Sequence, residues 1–337
     1  MKVQNFLFTS LVCICLTVSS CIPEKDLHEE KPVTYTEVNF SVGGDCSVTD
    51  KPMSRADASS KELYGINVAM LVKNANDANF TSKPYAYGIF DHASVQNLKL
   101  NLIDGYSYRV SCTMIADGVD SLAQNSGYVR PFTIDKNRTN FGKLSNKFIT
   151  SERPDGNQEY LYDLETAQIG TAGQANILRP FIKRYHGFIE TPIISKEAPT
   201  QNDLEVYRRY FGVKLKVVGL QDGLKMKIQI DDSPAIWLSS SNAESESTYV
   251  SMKNLTAKVE PNRILTDNGR VIATVYKEGK EPEQILNYTI AFKRNYMHTI
   301  ALSDIDHCGT PSGVKIKVDE EEMGDDGQQD LPWQGGN

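Results

Sequence analysis

The 337-residue sequence has few of the features that identify an enzyme. It contains no G-x-S-x-G nucleophile turn, no H-E-x-x-H zinc helix, no G-x-x-x-x-G-K-[ST] phosphate loop and no C-x-x-C pair. Its densest group of possible metal ligands lies at residues 304–308, where the spacing fits neither a zinc finger nor a calcium loop. We therefore expect a protein that is not an enzyme and that holds no cofactor and no metal.

Basic patches are also missing. The formal net charge is −7, and lysines and arginines are interspersed with acidic residues along the chain. Because nucleic acids are bound through clustered positive charge, this distribution argues against non-specific binding of DNA or RNA. Hydrophobic residues make up 40% of the chain, which at this length is enough to fill more than one core.

Long apolar runs are confined to the N-terminus. Lys2 precedes an apolar stretch at residues 6–18, which is too short for a membrane-spanning helix, and the segment Val18–Ser20 leads directly to Cys21. This order resembles a bacterial lipobox, which implies removal of residues 1–20 as a signal peptide and diacylation of Cys21. An ordinary signal peptide followed by a chance cysteine is the alternative. Because two acyl chains hold a protein lastingly to a bilayer, we expect a lipid-anchored protein.

Residues 21–33 are charged, contain two prolines and are typical of a linker between an anchor and a fold. The acidic residues in this linker resemble the export signal by which Bacteroidetes lipoproteins reach the outer face of the outer membrane. A plain solvated linker is the other interpretation. The resemblance implies a cell-surface location on the outer membrane.

Three cysteines follow Cys21, namely Cys46, Cys112 and Cys308. An odd number outside the cytosol excludes a complete disulfide framework. Cys112 lies on the apolar face of a predicted strand, so we expect it to pack as a small hydrophobic side chain. Cys46 and Cys308 could form a disulfide, although their spacing does not require one.

Strict alternation of apolar and polar residues dominates the rest of the chain. It is interrupted by an Asp-Gly pair at 104–105 within the segment Leu98–Met114, and by a second pair at 222–223 within Val213–Ile230. Period two places one face of each strand in a core, and Asp-Gly supplies the positive φ of a tight turn. We therefore predict two β-hairpins, each at the centre of one β-sandwich.

The predicted fold is thus all-β, with two sandwich domains in tandem. We predict the first domain at residues 34–197, beginning with a strand at Thr34–Val42, and the second at 203–318. Residues 319–337 are acidic and Gly-rich and are predicted to be a flexible tail. Trp237, within a short predicted strand, is expected to face the second core.

Three further features of the sequence concern its tyrosines, a histidine and a possible modification site. The 16 tyrosines outnumber the 12 phenylalanines, and cross-strand packing is favoured over an adhesive or sugar-binding rim. His298 lies between core residues of a predicted strand, which indicates a buried structural histidine. Ser121, within Asp-Ser-Leu at 120–122, resembles the O-glycosylation acceptor of Bacteroides envelope proteins, although so short a motif is common by chance.

Longer strand and loop patterns occur at Thr36–Asp45, Pro52–Ala56, Leu63–Val68, Tyr85–Asp91 and Arg184–Gly187. By these segments the chain resembles the fimbrillin-like lipoproteins of Bacteroidales. The resemblance implies two tandem transthyretin-like Greek-key β-sandwich domains and display on the outer membrane. It also implies a role in adhesion, as a subunit, tip or anchor of fimbriae.

In polymerising members of that family, a protease cuts after an arginine behind the first strand, and a strand of another subunit fills the vacated groove. Arg55 stands in the matching loop and is the candidate cleavage position. The implied partners are other fimbrial subunits, joined by strand exchange. A donor strand alternates apolar residues, whereas the tail after Val318 is acidic. Either Val314–Val318 is the donor, or this chain is a terminal or stand-alone protein.

The main alternative function is that of a surface glycan-binding lipoprotein in a polysaccharide-uptake system. A solvent-exposed platform of tryptophan and tyrosine would favour this alternative, because aromatic faces stack on sugar rings. Trp237 is expected to face the core, which favours the fimbrial interpretation.

Overall fold

The structure is a computed structural model that describes residues 32–44, 61–73, 80–116, 118, 132–134, 142–150, 161–163, 167–168, 177–178, 181–253, 265–303, 305 and 314–323. These residues form strands β1 to β20 and the short helix α1 (His92–Val95), so the predicted all-β sandwich fold is confirmed. In this described part of the chain, no helix is long and apolar enough to cross a membrane.

Among the described residues, twelve strands precede the second sandwich, and those of the large sheet form the first sandwich. The twelve are β1 (Tyr35–Gly44), β2 (Leu63–Lys73), β3 (Phe80–Asp91), β4 (Leu98–Ile103), β5 (Ser107–Ile115), β6 (Phe132–Thr133), β7 (Ile149–Thr150), β8 (Tyr162–Asp163), β9 (Ala167–Gln168), β10 (Ile177–Leu178), β11 (Arg184–Glu190) and β12 (Gln201–Arg208). Eight of them form one sheet in the order β4-β1-β12-β11-β5-β2-β3-β7. Both halves of this sheet contribute side chains to one core, in which Cys112 packs as predicted.

The second sandwich consists of two four-stranded sheets. Its strands are β13 (Tyr210–Val217), β14 (Leu224–Ile230), β15 (Ile236–Ser239), β16 (Thr248–Ser251), β17 (Thr266–Lys277), β18 (Glu283–Lys293), β19 (Tyr296–Ser303) and β20 (Lys315–Glu322). The sheet orders are β16-β13-β19-β20 and β15-β14-β17-β18. Apolar residues from both sheets enclose a separate core.

The two predicted Asp-Gly hairpins are wrong, although the positions and inward faces of their strands are right. β4 pairs with β1, whereas β5 pairs with β2 and β11. In the same way, β13 pairs with β16 and β19, whereas β14 pairs with β15 and β17. Gly105 and Gly223 do have positive φ, at 88° and 81°. The first Asp-Gly segment joins two strands that are separated by three others in the same sheet, and the second joins strands of two different sheets. Both connections satisfy the same apolar alternation.

The boundary between the sandwiches lies later than predicted. Residue 203, the predicted start of the second domain, lies within β12, which pairs in parallel with β1 and antiparallel with β11 and so belongs to the first sandwich. Arg209 stands between β12 and β13 and is 1% exposed. Burial and the neighbouring Arg294 lower the pKa of Arg209 to about 10.

The predicted start of the tail at Asp319 is also wrong. β20 continues to Glu322, and its pairing with β19 extends to Tyr296. Met323 is 6% exposed and packs in the first core. Acidic residues are compatible with this strand because backbone pairing does not require apolar side chains, and Lys293 forms an ion pair with Glu320. Residues 324–337 lie outside the described residues.

Trp237 was predicted to face the core, but the structure places it on the outer face of its sheet. Its neighbours Ile236 and Leu238 point inward, Leu238 being 2% exposed, so the two-residue period places Trp237 outside. The indole is 49% exposed. His298, by contrast, is fully buried, and its Nε2 accepts a hydrogen bond of 3.0 Å from the backbone N–H of Lys293.

Candidate strand-exchange site

The first strand occupies the middle of a sheet. β1 pairs antiparallel with β4 on one side, from Tyr35 opposite Ile103 to Phe40 opposite Leu98. On the other side it pairs in parallel with β12, beginning with Asn39 opposite Gln201. β4 has no other strand partner among the described residues. Removal of β1 would therefore leave a slot with unpaired backbone groups on both walls.

Three apolar side chains of β1 fill the first core. Val38 and Phe40 are each 1% exposed and Val42 is 7% exposed, and all three lie in the cluster that also holds Leu100 and Val110. Burying a side chain of this size contributes about 1.5–3 kcal/mol, or roughly 5–9 kcal/mol for the three. That amount is comparable to the whole stability of a typical domain, about 5–15 kcal/mol, so an empty slot would be strongly unfavourable.

Polar contacts fix the register of β1. Near its start, the Thr36 hydroxyl donates a 2.7 Å hydrogen bond to the Asp104 carboxylate, and hydrogen bonds from Thr34 and Thr36 lower the pKa of Asp104. Farther along, the Ser41 hydroxyl donates a 2.5 Å hydrogen bond to Asp203 on β12. At the end, Gly44 has φ of 96°, and a Cβ atom there would lie 2.5 Å from the carbonyl oxygen of Val206.

The outer edge of β4 is closed by tyrosine hydroxyls. The Tyr85 hydroxyl donates a 2.8 Å hydrogen bond to the carbonyl of Asn101. The Tyr108 hydroxyl accepts from the N–H of Ile103 at 2.9 Å and donates to its carbonyl at 3.2 Å. Burial raises the pKa of Tyr108, which keeps this donor protonated. These three backbone groups are therefore already satisfied, which disfavours pairing of a foreign strand with this end of β4.

Of the predicted site residues, Cys21, Arg55 and Ser121 lie outside the described residues, as do Cys46 and Cys308. β1 ends at Gly44 and β2 begins at Leu63, so Arg55 belongs to the connection between these two strands. It is the only arginine in that connection. A cut after Arg55 would leave β1 and Cys21 on one fragment and the remaining strands on the other.

The last strand has the wrong chemistry for a donor to this slot. Ile316 and Val318 of β20 pack against the second core, but the next positions on the same face are Glu320 and Glu322. On β1, by contrast, three successive inward positions are all apolar, namely Val38, Phe40 and Val42. A carboxylate at a core position costs several kcal/mol, so β20 would replace β1 poorly. In addition, the N–H of Met323 donates to the carbonyl of Asn295 at 2.7 Å and so holds the end of β20 in place.

Other buried ionisable groups have structural roles. His186 is 8% exposed, its Nδ1 lies 2.9 Å from the Thr113 hydroxyl, and burial together with Arg209 and Arg184 lowers its pKa to about 3. It therefore stays neutral at physiological pH. Among the described residues, no group of three or more His, Cys, Asp and Glu side chains is placed to hold a metal ion.

The chain can be superposed on several solved structures from Bacteroidales. They include a candidate adhesin from Bacteroides ovatus, with a TM-score of 0.42 and 12% identity over 88% of this chain and 97% of that one. The fimbrial anchor protein Mfa2 from Porphyromonas gingivalis has a TM-score of 0.40 and 8% identity over 86% and 98%. Candidate polysaccharide-binding proteins from Bacteroides thetaiotaomicron have a TM-score of 0.38 and 11% identity over 87% and 99%.

The names adhesin and fimbrial anchor agree with the resemblance drawn from the sequence. With TM-scores below 0.5, however, the similarity carries no inference about the function of this chain. No protein-family model and no curated protein sequence matches the chain.

Proposed function

We propose that this chain is a non-enzymatic, lipid-anchored protein of the outer cell surface that acts in adhesion as a component of fimbriae. The observation that carries the proposal is the position of β1. This strand is central to its sheet and supplies core side chains, yet a single cut at Arg55 would separate it from every other strand. A chain built in this way can exchange its first strand for a strand of a partner subunit.

The order of Cys21, β1 and Arg55 further defines the role. Because the lipid and β1 lie on the same side of Arg55, the uncut chain is anchored and has its slot filled. The cut chain loses its covalent anchor and becomes an acceptor. Since β20 is unsuited as a donor, we propose that this chain accepts a strand without donating one, so it occupies an end of an assembly.

Lipid anchoring is tested by Cys21→Ala in cells supplied with labelled palmitate. We expect the unchanged chain to be labelled, to sediment with the outer membrane and to be accessible to protease added outside the cell. Cys21→Ala should lose the label and leave the membrane fraction. Labelling that survives in Cys21→Ala would refute the anchor, without bearing on strand exchange.

Strand exchange is tested by limited digestion of purified chain 21–337 with an arginine-specific protease, using Arg55→Lys as the matched control. We expect mass spectrometry to find a cut after Arg55 only in the unchanged chain. The cut protein should remain monomeric by itself, because it has no suitable donor. A ladder of oligomers from the cut protein alone would show that β20 is a donor and would contradict the proposed end position.

The alternative role in glycan binding depends on different residues. It is supported by an aromatic pair on the outer face of the second sandwich and requires neither cleavage nor assembly.

A further inference from the structure

Two aromatic rings lie together on the outward face of the sheet β15-β14-β17-β18. Trp237 of β15 and Tyr276 of β17 have ring centroids 4.9 Å apart and ring planes at 51°. They reach towards each other over β14, where Lys227 is the register partner of Trp237 and Lys225 is the partner of Tyr276. The core is already filled by Leu238, so the exposed indole is not needed to stabilise the fold.

The surroundings of this pair combine apolar surface with positive charge. A shallow depression of 490 Å³ is lined by the two rings together with Lys225, Leu238 and Ser239. Its described lining residues include a lysine and no carboxylate. Neither Lys225 nor Lys227 forms an ion pair with another described residue, so both ammonium groups are available to a ligand.

The size and chemistry of this surface favour one kind of ligand. The indole offers a flat apolar face, and a pyranose ring offers a matching face of C–H groups edged by hydroxyls. Lysine ammonium groups beside the ring suit a carboxylate or sulfate carried by the sugar. Two rings form too small a patch for a second copy of the chain, since a stable protein interface buries about 800 Å² on each partner.

We propose that Trp237 and Tyr276 form a binding subsite for an acidic carbohydrate. The exposed face of Trp237 stacks on a sugar ring, and Tyr276 holds the indole in position. Lys225 and Lys227 bind the acidic group. This subsite is independent of β1 and of cleavage at Arg55, so it goes beyond the proposed assembly role.

The test uses the small number of tryptophans. The chain has only Trp237 and Trp333, so the variant Trp333→Phe leaves Trp237 as the sole indole emitter. Its emission is followed during titration with oligogalacturonate and with the methyl-esterified form of the same oligosaccharide, which lacks the charge. We expect a saturable change with oligogalacturonate, and affinity at least tenfold weaker for the ester. Lys225→Gln should weaken binding of the acidic form by a similar factor.

Binding is measured independently by affinity electrophoresis in gels that contain polygalacturonate. Trp237→Ala should abolish the retardation of the otherwise unchanged chain. Tyr288→Ala is the matched control, because Tyr288 is 50% exposed on β18 of the same sheet and lies outside the depression. Circular dichroism of each variant verifies that it is folded.

Several outcomes would overturn the proposal. They are an unchanged Trp237 emission with oligogalacturonate, equal affinity for the acid and its ester, and undiminished retardation of folded Trp237→Ala. A dimer of the unchanged chain that Trp237→Ala dissociates would likewise overturn it, by assigning the rings to contact between copies.

Discussion

Phe40→Ala tests how far the first sandwich depends on its first strand. Phe40 is 1% exposed and lies on β1 between β4 and β12, with Val38 and Val42 on the same face. Truncation of a buried phenylalanine costs about 3–5 kcal/mol, because it removes apolar contacts and leaves a cavity. Since β1 is paired on both sides and cannot move freely to refill the space, we expect a loss of at least about 3 kcal/mol.

The assay is urea unfolding of the purified chain 21–337, followed by circular dichroism. With a slope of about 2 kcal/mol per molar urea, a loss of about 3 kcal/mol lowers the midpoint by about 1.5 M. The emission of Trp237 in the Trp333→Phe background reports the second sandwich separately.

The matched control is Tyr35→Ala, which removes an aromatic side chain of β1 that is 55% exposed. An exposed position of this kind should lose less than about 1 kcal/mol. If Phe40→Ala shifts the midpoint no more than Tyr35→Ala does, β1 does not contribute to the core as argued, and the exchange site has no energetic basis.

Two further predictions concern β11. Gly187→Ala should severely destabilise the first sandwich, because the added Cβ would lie 1.8 Å from the backbone oxygen of Glu205. The control Gly43→Ala places its Cβ in open space and should lower the free energy of unfolding by no more than about 1 kcal/mol. Similar urea midpoints for the two variants would contradict this packing. His186 stays neutral in the folded state because burial lowers its pKa to about 3, whereas its unfolded pKa is about 6.5. Its contribution is therefore complete above pH 6.5 and is lost as pH falls towards 3, which makes the chain less stable by about 2 kcal/mol at pH 5 than at pH 7. The same urea titrations of His186→Gln should show a smaller loss, and an unchanged pH dependence in that variant would refute the assignment.

Local alternation was sufficient to predict most strands and their inward faces. Val38, Phe40 and Val42 were expected on one face of the first strand, and Leu98, Leu100 and Leu102 on one face of another; the first core contains all six. This success has a physical reason, since the side-chain period of a strand is a property of the chain itself and does not depend on its neighbours.

Strand partners were not predictable in the same way. The alternation in β4 and β5 is equally compatible with two adjacent strands and with two strands separated by three others in one sheet, so the hairpin prediction had no support beyond the Asp-Gly pair. Nor does any local feature of β12 indicate that it pairs in parallel with β1. The pairing of β1 with β12 joins residues about 160 positions apart and depends on the whole fold.

The candidate sites, too, were predictable from the sequence only in part. Arg55 was identified because its loop resembles the cleaved loop of the fimbrillin-like family. Only the structure shows that a cut there would separate a strand from the middle of its sheet. Trp237, the one tryptophan within a predicted strand, was expected to face the core. The alternation of Ile236 and Leu238 on either side was the signal that could have placed it outside.

The central claim, that β1 occupies a slot another strand can fill, is tested most directly by uptake of a labelled peptide of residues 34–44. Fluorescence anisotropy is measured with protein cut after Arg55 and with uncut protein. We predict that the cut protein binds the peptide at one to one while the uncut protein does not, and that a peptide with Phe40→Asp fails to bind. Equal binding to cut and uncut protein, or no binding to either, would contradict the claim.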